Sequence, residues 1–247
     1  AELICSVTGV NLTIYSIPTG SIDLTVSGGT LPYIFAWTGP GGPYNTEDLS
    51  GLAAGTYSVI VTDDNGCVTT CSITLTEPTV LSCSVTGTDL LCFEDNSGTI
   101  DLTVTGGVGP YIFAWTGPGG PYNTEDLSGL AAGTYSVIVT DANGATTSCS
   151  ITLIEPAELI SSVTGTDLLC FEDNSGTIDL TVSGGTLPYI FAWTGPGGPY
   201  NTEDLSGLAA GTYSVIMEDA NGCVITCSIT LTEPADLISS VTGTDLL

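Results

Sequence analysis

The sequence predicts an all-β protein made of tandem antiparallel β-sandwich modules of immunoglobulin-like type, and three observations carry that prediction. A 29-residue stretch, PYIFAWTGPGGPYNTEDLSGLAAGTYSVI, occurs without a change at Pro32–Ile60, Pro110–Ile138 and Pro188–Ile216, each copy 78 residues after the last. That period exceeds the roughly 20–50 residues of a solenoid unit and is long enough for a small domain with its own core. Secondly, apolar and polar residues alternate in short runs bounded by Gly, Pro, Asn and Asp, the period of strands and not of helices. Thirdly, Trp37, Trp115 and Trp193 fall on the run expected to be the third strand, where sandwiches bury a tryptophan. Leu52-x-x-Gly55-x-Tyr57 has the form of a tyrosine corner.

The elements of the first copy follow in order. Leu3–Val7 opens it. In Ser21–Ser27 the side chains of Ile22, Leu24 and Val26 share one face, opposite Asp23 and Thr25. Tyr33, Phe35 and Trp37 share a face of the next run, and the GPGGPYN loop leads to Thr46–Leu52. Tyr57, Val59 and Val61 align in Gly55–Asp63. Asp64-Asn65-Gly66 is a tight hairpin turn, because Asn-Gly accepts positive φ. The last run, Cys67–Thr76, puts Cys67, Cys71, Ile73 and Leu75 on one parity. Six or seven strands per copy result.

The repeats divide the chain into modules at 1–78, 79–156 and 157–234, and residues 235–247 repeat the opening of the third copy with one substitution, starting a fourth. The chain therefore reads as a window onto a longer polymer whose export and anchoring signals lie elsewhere. Each module closes on Glu-Pro (Glu77-Pro78, Glu155-Pro156, Glu233-Pro234) with no Gly/Ser spacer. Proline fixes φ and extends its predecessor, so the expectation is an elongated, semi-rigid rod. With strands of ~9 residues spanning ~30 Å, three modules reach roughly 100 Å.

Composition excludes several classes of function. The chain has no Lys, Arg or His against 27 Asp plus Glu, a net charge of −27. Such a surface repels nucleic acid and anionic membrane, and no apolar run is long enough for direct membrane insertion. Imidazole bases, Ser-His pairs, Schiff bases and phosphate-binding loops are all ruled out. Trypsin finds nowhere to cut. Disorder is not expected, because 42% of residues are hydrophobic. Glu47-Asp48 superficially suggests a glycosidase pair, but neighbours on a strand point to opposite faces, so no enzyme is expected.

One ordered set of residues resembles a known family. It comprises Cys170–Asp179, Ser183-Gly184-Gly185, Pro188-Tyr189, Trp193 and Leu205-x-x-Leu208-x-x-Gly211-Thr212-Tyr213-x-Val215. It continues through Asp219-Ala220-Asn221-Gly222-Cys223 to the closing Glu233-Pro234. This is similar to the SprB repeat of Bacteroidota surface proteins, named for a gliding-motility adhesin. The resemblance implies very long extracellular tandem-repeat adhesins, exported by the type IX secretion system and held at the outer membrane of the cell surface. The first module departs from it across Val10–Gly20, and the second has Ala145 where the family tends to have cysteine.

Nine cysteines occupy four module positions, each module lacking one. They are Cys5, Cys67 and Cys71, then Cys83, Cys92 and Cys149, then Cys170, Cys223 and Cys227. An extracellular chain oxidises such residues. Cys67 and Cys71, four apart on one strand, lie roughly 13 Å apart, beyond disulfide reach. First-to-last-strand bridges are expected instead, and two schemes are open. One is Cys5–Cys71, Cys83–Cys149 and Cys170–Cys223; the other is Cys5–Cys67, Cys92–Cys149 and Cys170–Cys227.

Acidic turns suggest a cation. In immunoglobulin topology the early turn of one module faces the hairpin turn of the next, with the junction glutamate between. Glu94, Asp95, Glu155, Glu218 and Asp219 would then converge as hard oxygen ligands for Ca²⁺; no other cofactor is expected. Two functions compete. The first is a structural or adhesive segment, the shaft of a cell-surface filament whose partners are neighbouring copies of the module and surface ligands. The second is a carbohydrate-binding module, with Tyr44, Tyr122 and Tyr200 stacking on polysaccharide and repetition supplying avidity.

Overall fold

The computed structural model describes residues 1–242, and among them it has eighteen β-strands and no helix. Contacts divide these into two compact units that do not follow the 78-residue repeats. One holds Ala1–Thr86, Ile100–Leu127 and Thr134–Ile151; the other holds Gly87–Thr99, Ser128–Gly133 and the chain from Thr152 onward.

In the first unit the opening repeat forms β1 (Ile4–Val10), β2 (Gly20–Ser27), β3 (Ile34–Thr38), β4 (Leu49–Leu52), β5 (Gly55–Thr62) and β6 (Val68–Leu75). They make two antiparallel sheets, ordered β1-β2-β4 and β3-β5-β6. This is the strand order of an immunoglobulin-type sandwich lacking one edge strand. The alternation fixes which faces meet: Ile22 and Leu24 of β2 are buried, as are Trp37 of β3 and Tyr57, Val59 and Val61 of β5. Each tryptophan withdraws ~200 Å² from water, worth roughly 5 kcal/mol before the entropy of ordering it. The Trp37 indole is satisfied as well, donating to Thr46 O at 3.0 Å. The tyrosine corner forms as predicted, with the Tyr57 hydroxyl donating to Ala53 O at 3.0 Å.

The middle repeat supplies β7 (Ser82–Thr88), β8 (Gly98–Thr105), β9 (Ile112–Thr116), β10 (Leu127–Leu130), β11 (Gly133–Thr140) and β12 (Thr146–Leu153), divided between the units. Within the first unit, β9 pairs with β11 (Trp115 opposite Val137) in the register in which β3 pairs with β5 (Trp37 opposite Val59).

The second unit contains the third repeat: β13 (Ile160–Thr166), β14 (Gly176–Ser183), β15 (Ile190–Thr194), β16 (Leu205–Leu208), β17 (Gly211–Glu218) and β18 (Val224–Leu231). Its sheets are β13-β14-β16 and β15-β17-β18, around Trp193, Tyr213, Val215 and Met217. The chain entering this repeat is pinned to the Gly-Gly turn after β14. Gly184 has φ +79, and a Cβ there would stand 1.8 Å from Glu158 O, so only glycine fits.

Two expectations need correction. The run at Thr46–Leu52 becomes strand only from Leu49, because Thr46 Oγ1 donates to Asp48 O at 2.8 Å and closes a local turn. Cys67 is not on the last strand: it sits exposed in the hairpin turn, and β6 starts at Val68.

Candidate functional site

The residues singled out in the sequence gather in two turns, the early turn between the first two strands of each repeat and the hairpin turn before the last strand. In the early turn the backbone takes positive φ at a non-glycine position, 55° at Ser16, 55° at Glu94 and 56° at Glu172. The amide at that position donates to the junction glutamate of the same repeat. Ser16 donates to Glu77 at 2.8 Å, Glu94 to Glu155 at 2.7 Å and Glu172 to Glu233 at 2.8 Å. Asp95 closes the turn by accepting from the Cys92 amide at 2.9 Å, the Ser97 amide at 2.9 Å and the Ser97 hydroxyl at 2.7 Å. The Ser97 hydroxyl is the main cause holding the Asp95 carboxyl below its ordinary value.

The hairpin turns are organised by buried carboxylates, Asp63, Asp141 and Asp219. Asp219 accepts amide hydrogens from Thr186 at 2.8 Å, Asn221 at 2.9 Å and Cys223 at 2.9 Å. Asp63 and Asp141 repeat this arrangement at 2.8–3.0 Å. At Asp63 the Cys67 amide is the leading cause of a carboxyl held below its usual value, against the opposing pull of burial. At Asp141 and Asp219 burial is the largest single influence and pushes upward, but four backbone amides together outweigh it. A carboxyl with a depressed folded pKa stabilises the fold above its unfolded pKa and loses that contribution as pH falls through the folded value. Urea midpoints are therefore expected to hold from pH 7 to 5 and fall progressively below the ordinary carboxyl value of 3.8. A midpoint unchanged at pH 2 would count against these three anchors.

These bonds do not gather the residues expected to bind calcium into one cluster. Among the described residues no group of three or more His, Cys, Asp or Glu is placed to hold a metal ion. Glu155 is turned to the Glu94 amide and Asp95 inward to its own turn. Asp219 is saturated by amides, and Glu218 stands exposed at the end of β17. EDTA is expected to leave the melting temperature within about 1 °C of its value in added Ca²⁺, as differential scanning calorimetry would measure.

The two turns do meet across repeats, as the topology predicted. Within the first unit the Asn143 side-chain amide donates to Thr13 O at 2.7 Å. Within the second, Asn221 donates to Leu91 O at 2.9 Å. Beside that contact the structure contains a bond that neither sequence scheme contained. Cys92 and Cys223 form a disulfide, with Cα atoms 5.7 Å apart, linking the early turn of the second repeat to the hairpin turn of the third. Two bridges of the first scheme are present, Cys5–Cys71 and Cys83–Cys149, both with Cα atoms 6.1 Å apart. The pairs Cys170–Cys223, Cys5–Cys67, Cys92–Cys149 and Cys170–Cys227 do not form. Cys67, Cys170 and Cys227 remain thiols. The last lacks a partner because Ser161 stands where the other repeats carry Cys5 and Cys83.

Tyr44, Tyr122 and Tyr200 lie folded onto their own loops. Each hydroxyl donates to the carbonyl of the loop proline (Pro40, Pro118, Pro196) at 2.6–2.7 Å. Each ring leans on the corner tyrosine at a centroid distance of 6.3 Å. Beside Tyr200 a shallow cavity of about 420 Å³ is lined by Phe191, Trp193, Pro199 and Asn201. Asp48, half of the acidic pair, accepts the Leu24 amide at 3.0 Å and so caps β2 where its pairing with β4 has ended at Ile22.

Comparison with known proteins agrees with the repeat pattern. Residues 18–42, 84–120 and 162–198, together less than half of the chain, match the model of the SprB repeat. A curated relative is the decoration protein of Escherichia phage T5, 36% identical over 66 residues that span 22% of this chain and 40% of that protein. The chain thus covers less than half the length of that relative. Among solved structures, one titled for host cell surface retention of a 1.5-MDa bacterial ice-binding adhesin is 16% identical. Its TM-score is 0.49, with 96% of this chain and 99% of that one covered. The N-terminal eight immunoglobulin domains of Down Syndrome Cell Adhesion Molecule are 12% identical with a TM-score of 0.44, covering 91% and 36%. A tetra-tandem repeat from the extending region of a large adhesion protein is 18% identical with a TM-score of 0.26, covering 92% and 74%.

Proposed function

We propose that this chain is a run of SprB-type repeats acting as a structural, adhesive segment, the shaft of a large extracellular surface adhesin. The observation that carries it is the recurrence of one contact between successive repeats, Asn143 to Thr13 and Asn221 to Leu91. A surface that docks the same way at each step is made for continuation. Residues 1–78, 79–156 and 157–234 are its folding units, and neighbouring copies are its first partners. Export by type IX secretion, anchoring at a Bacteroidota outer membrane and a part in gliding motility belong to the same reading.

Immunogold labelling of the source cells with antibody to the GPGGPYN loop tests this. Label on fibres beyond the outer membrane supports it, and label confined to the cytoplasm or periplasm overturns it. The second reading, glycan recognition, is favoured by the cavity beside Tyr200. Binding on a glycan array that is lost in Tyr200→Ala would support it.

A further inference from the structure

The cysteines follow a rule visible only across the joints. The early-turn position is Ile14, Cys92 and Cys170 in successive repeats, and the hairpin-turn position is Cys67, Ala145 and Cys223. The early turn of the first repeat meets the hairpin turn of the second, and there both cysteines are absent, as Ile14 and Ala145. The early turn of the second meets the hairpin turn of the third, and there both are present and bonded. At these two positions cysteine is present or absent together on the two sides of a joint, whereas the first-strand and last-strand cysteines pair within a repeat.

This leaves two exposed thiols, Cys170 and Cys67, at the repeat positions of Cys92 and Cys223. Each keeps the setting of the bonded pair. Around Cys170, Asp173 accepts the Cys170 amide at 3.0 Å as Asp95 accepts that of Cys92. Leu169, which repeats Leu91, is 76% exposed against 50% for Leu91, whose carbonyl the next repeat engages. Around Cys67, Asp63 holds the turn as Asp219 does, and Asn65 donates to Thr30 Oγ1 at 2.8 Å as Asn221 does to Thr186 Oγ1 at 3.1 Å. Asn221 donates in addition to the preceding repeat.

We infer that Cys170 and Cys67 are the open halves of a staple between successive copies of this module. Cys170 takes the hairpin-turn cysteine of a copy joined after Pro234. Cys67 takes the early-turn cysteine of a copy joined before Ala1. A copy carrying Ala at the hairpin position docks without being stapled. The bond forms by thiol–disulfide exchange with a small disulfide oxidant such as glutathione disulfide. One cysteine thiolate attacks the oxidant and releases one glutathione thiol. The second thiolate then attacks the mixed disulfide and releases the other. Two protein thiols become one disulfide, and the two electrons and two protons leave as two molecules of glutathione.

The test replaces residues 235–247, the start of a fourth copy, with either of two complete native sequences, a copy of residues 157–234 or a copy of residues 79–156. The first supplies a hairpin cysteine and the second an alanine. Both chains are equilibrated in glutathione buffer, alkylated, and cut by chymotrypsin and a Glu-specific protease, since trypsin has no site. Tryptophan emission checks that both have folded. The expected result is Cys170 disulfide-linked to the appended copy of Cys223 in the first chain and alkylated at least ten-fold more in the second. Equal alkylation in the two chains overturns the proposal. So does a Cys170 linked to Cys227, to Cys223 of its own repeat, or to Cys170 of a second chain.

Discussion

Ser161→Cys is expected to add a fourth disulfide and stabilise the third repeat by about 4 kcal/mol, the chain-entropy value for a loop of this size. Ser161 pairs with Val182 as Cys5 pairs with Val26, and Cys227 pairs with Val215 as Cys71 pairs with Val59. The two sulfurs would therefore inherit the geometry of a bridge whose Cα atoms lie 6.1 Å apart across 66 residues. The loss of one free thiol, that of Cys227, is the direct readout. A rise of roughly 15 °C in the melting temperature of the third repeat is the thermodynamic one. If Cys227 stays fully alkylatable in the oxidised variant, the first and last strands of this repeat do not approach as described.

Asp219→Ala is expected to cost about 3–5 kcal/mol, the largest loss for any acidic residue outside the middle repeat except the matching Asp63→Ala. The side chain is 3% exposed and accepts three amide hydrogens from two separate loops. Removing it leaves donors buried without partners, each costing about 1–3 kcal/mol, with water relieving part of the sum. Asp64→Ala, in the same turn of the first repeat but exposed, should change stability by less than about 0.5 kcal/mol. Equal effects of Asp64→Ala and Asp63→Ala in urea unfolding would remove the physical basis for distinguishing them. Because Asp219 also fixes the Cys223 amide, its loss should slow formation of the Cys92–Cys223 bond on refolding.

The strands, the tryptophan and the tyrosine corner were legible because each rests on local pattern. Alternation decides the buried face, and Leu-x-x-Gly-x-Tyr positions a hydroxyl over a carbonyl four residues back. The role of the turn acids was not legible, because Asp and Asn near glycine suit a cation and an amide-capped turn equally. Only the structure shows that the amides of Thr186 and Glu94 come to Asp219 and Glu155. The cross-joint disulfide was within reach of the sequence. The paired replacement of Ile14 and Ala145 records it, but it becomes visible only when the early turn of one repeat is aligned with the hairpin turn of the next.

The Cys92–Cys223 bond also reroutes mechanical load. A chain pulled at its two ends transmits tension along its shortest covalent path, and that path leaves the backbone at Cys92 and rejoins it at Cys223, skipping 131 residues of sequence separation. At about 3.5 Å per extended residue, some 450 Å of contour is withheld. Most of the second repeat and most of the third lie off that covalent path while the bond lasts, though β18 stays on it. The Cys5–Cys71 bridge withholds a further 66 residues in the same way. Reduction would put this length on the load-bearing path, where unfolding of the repeats could then release it.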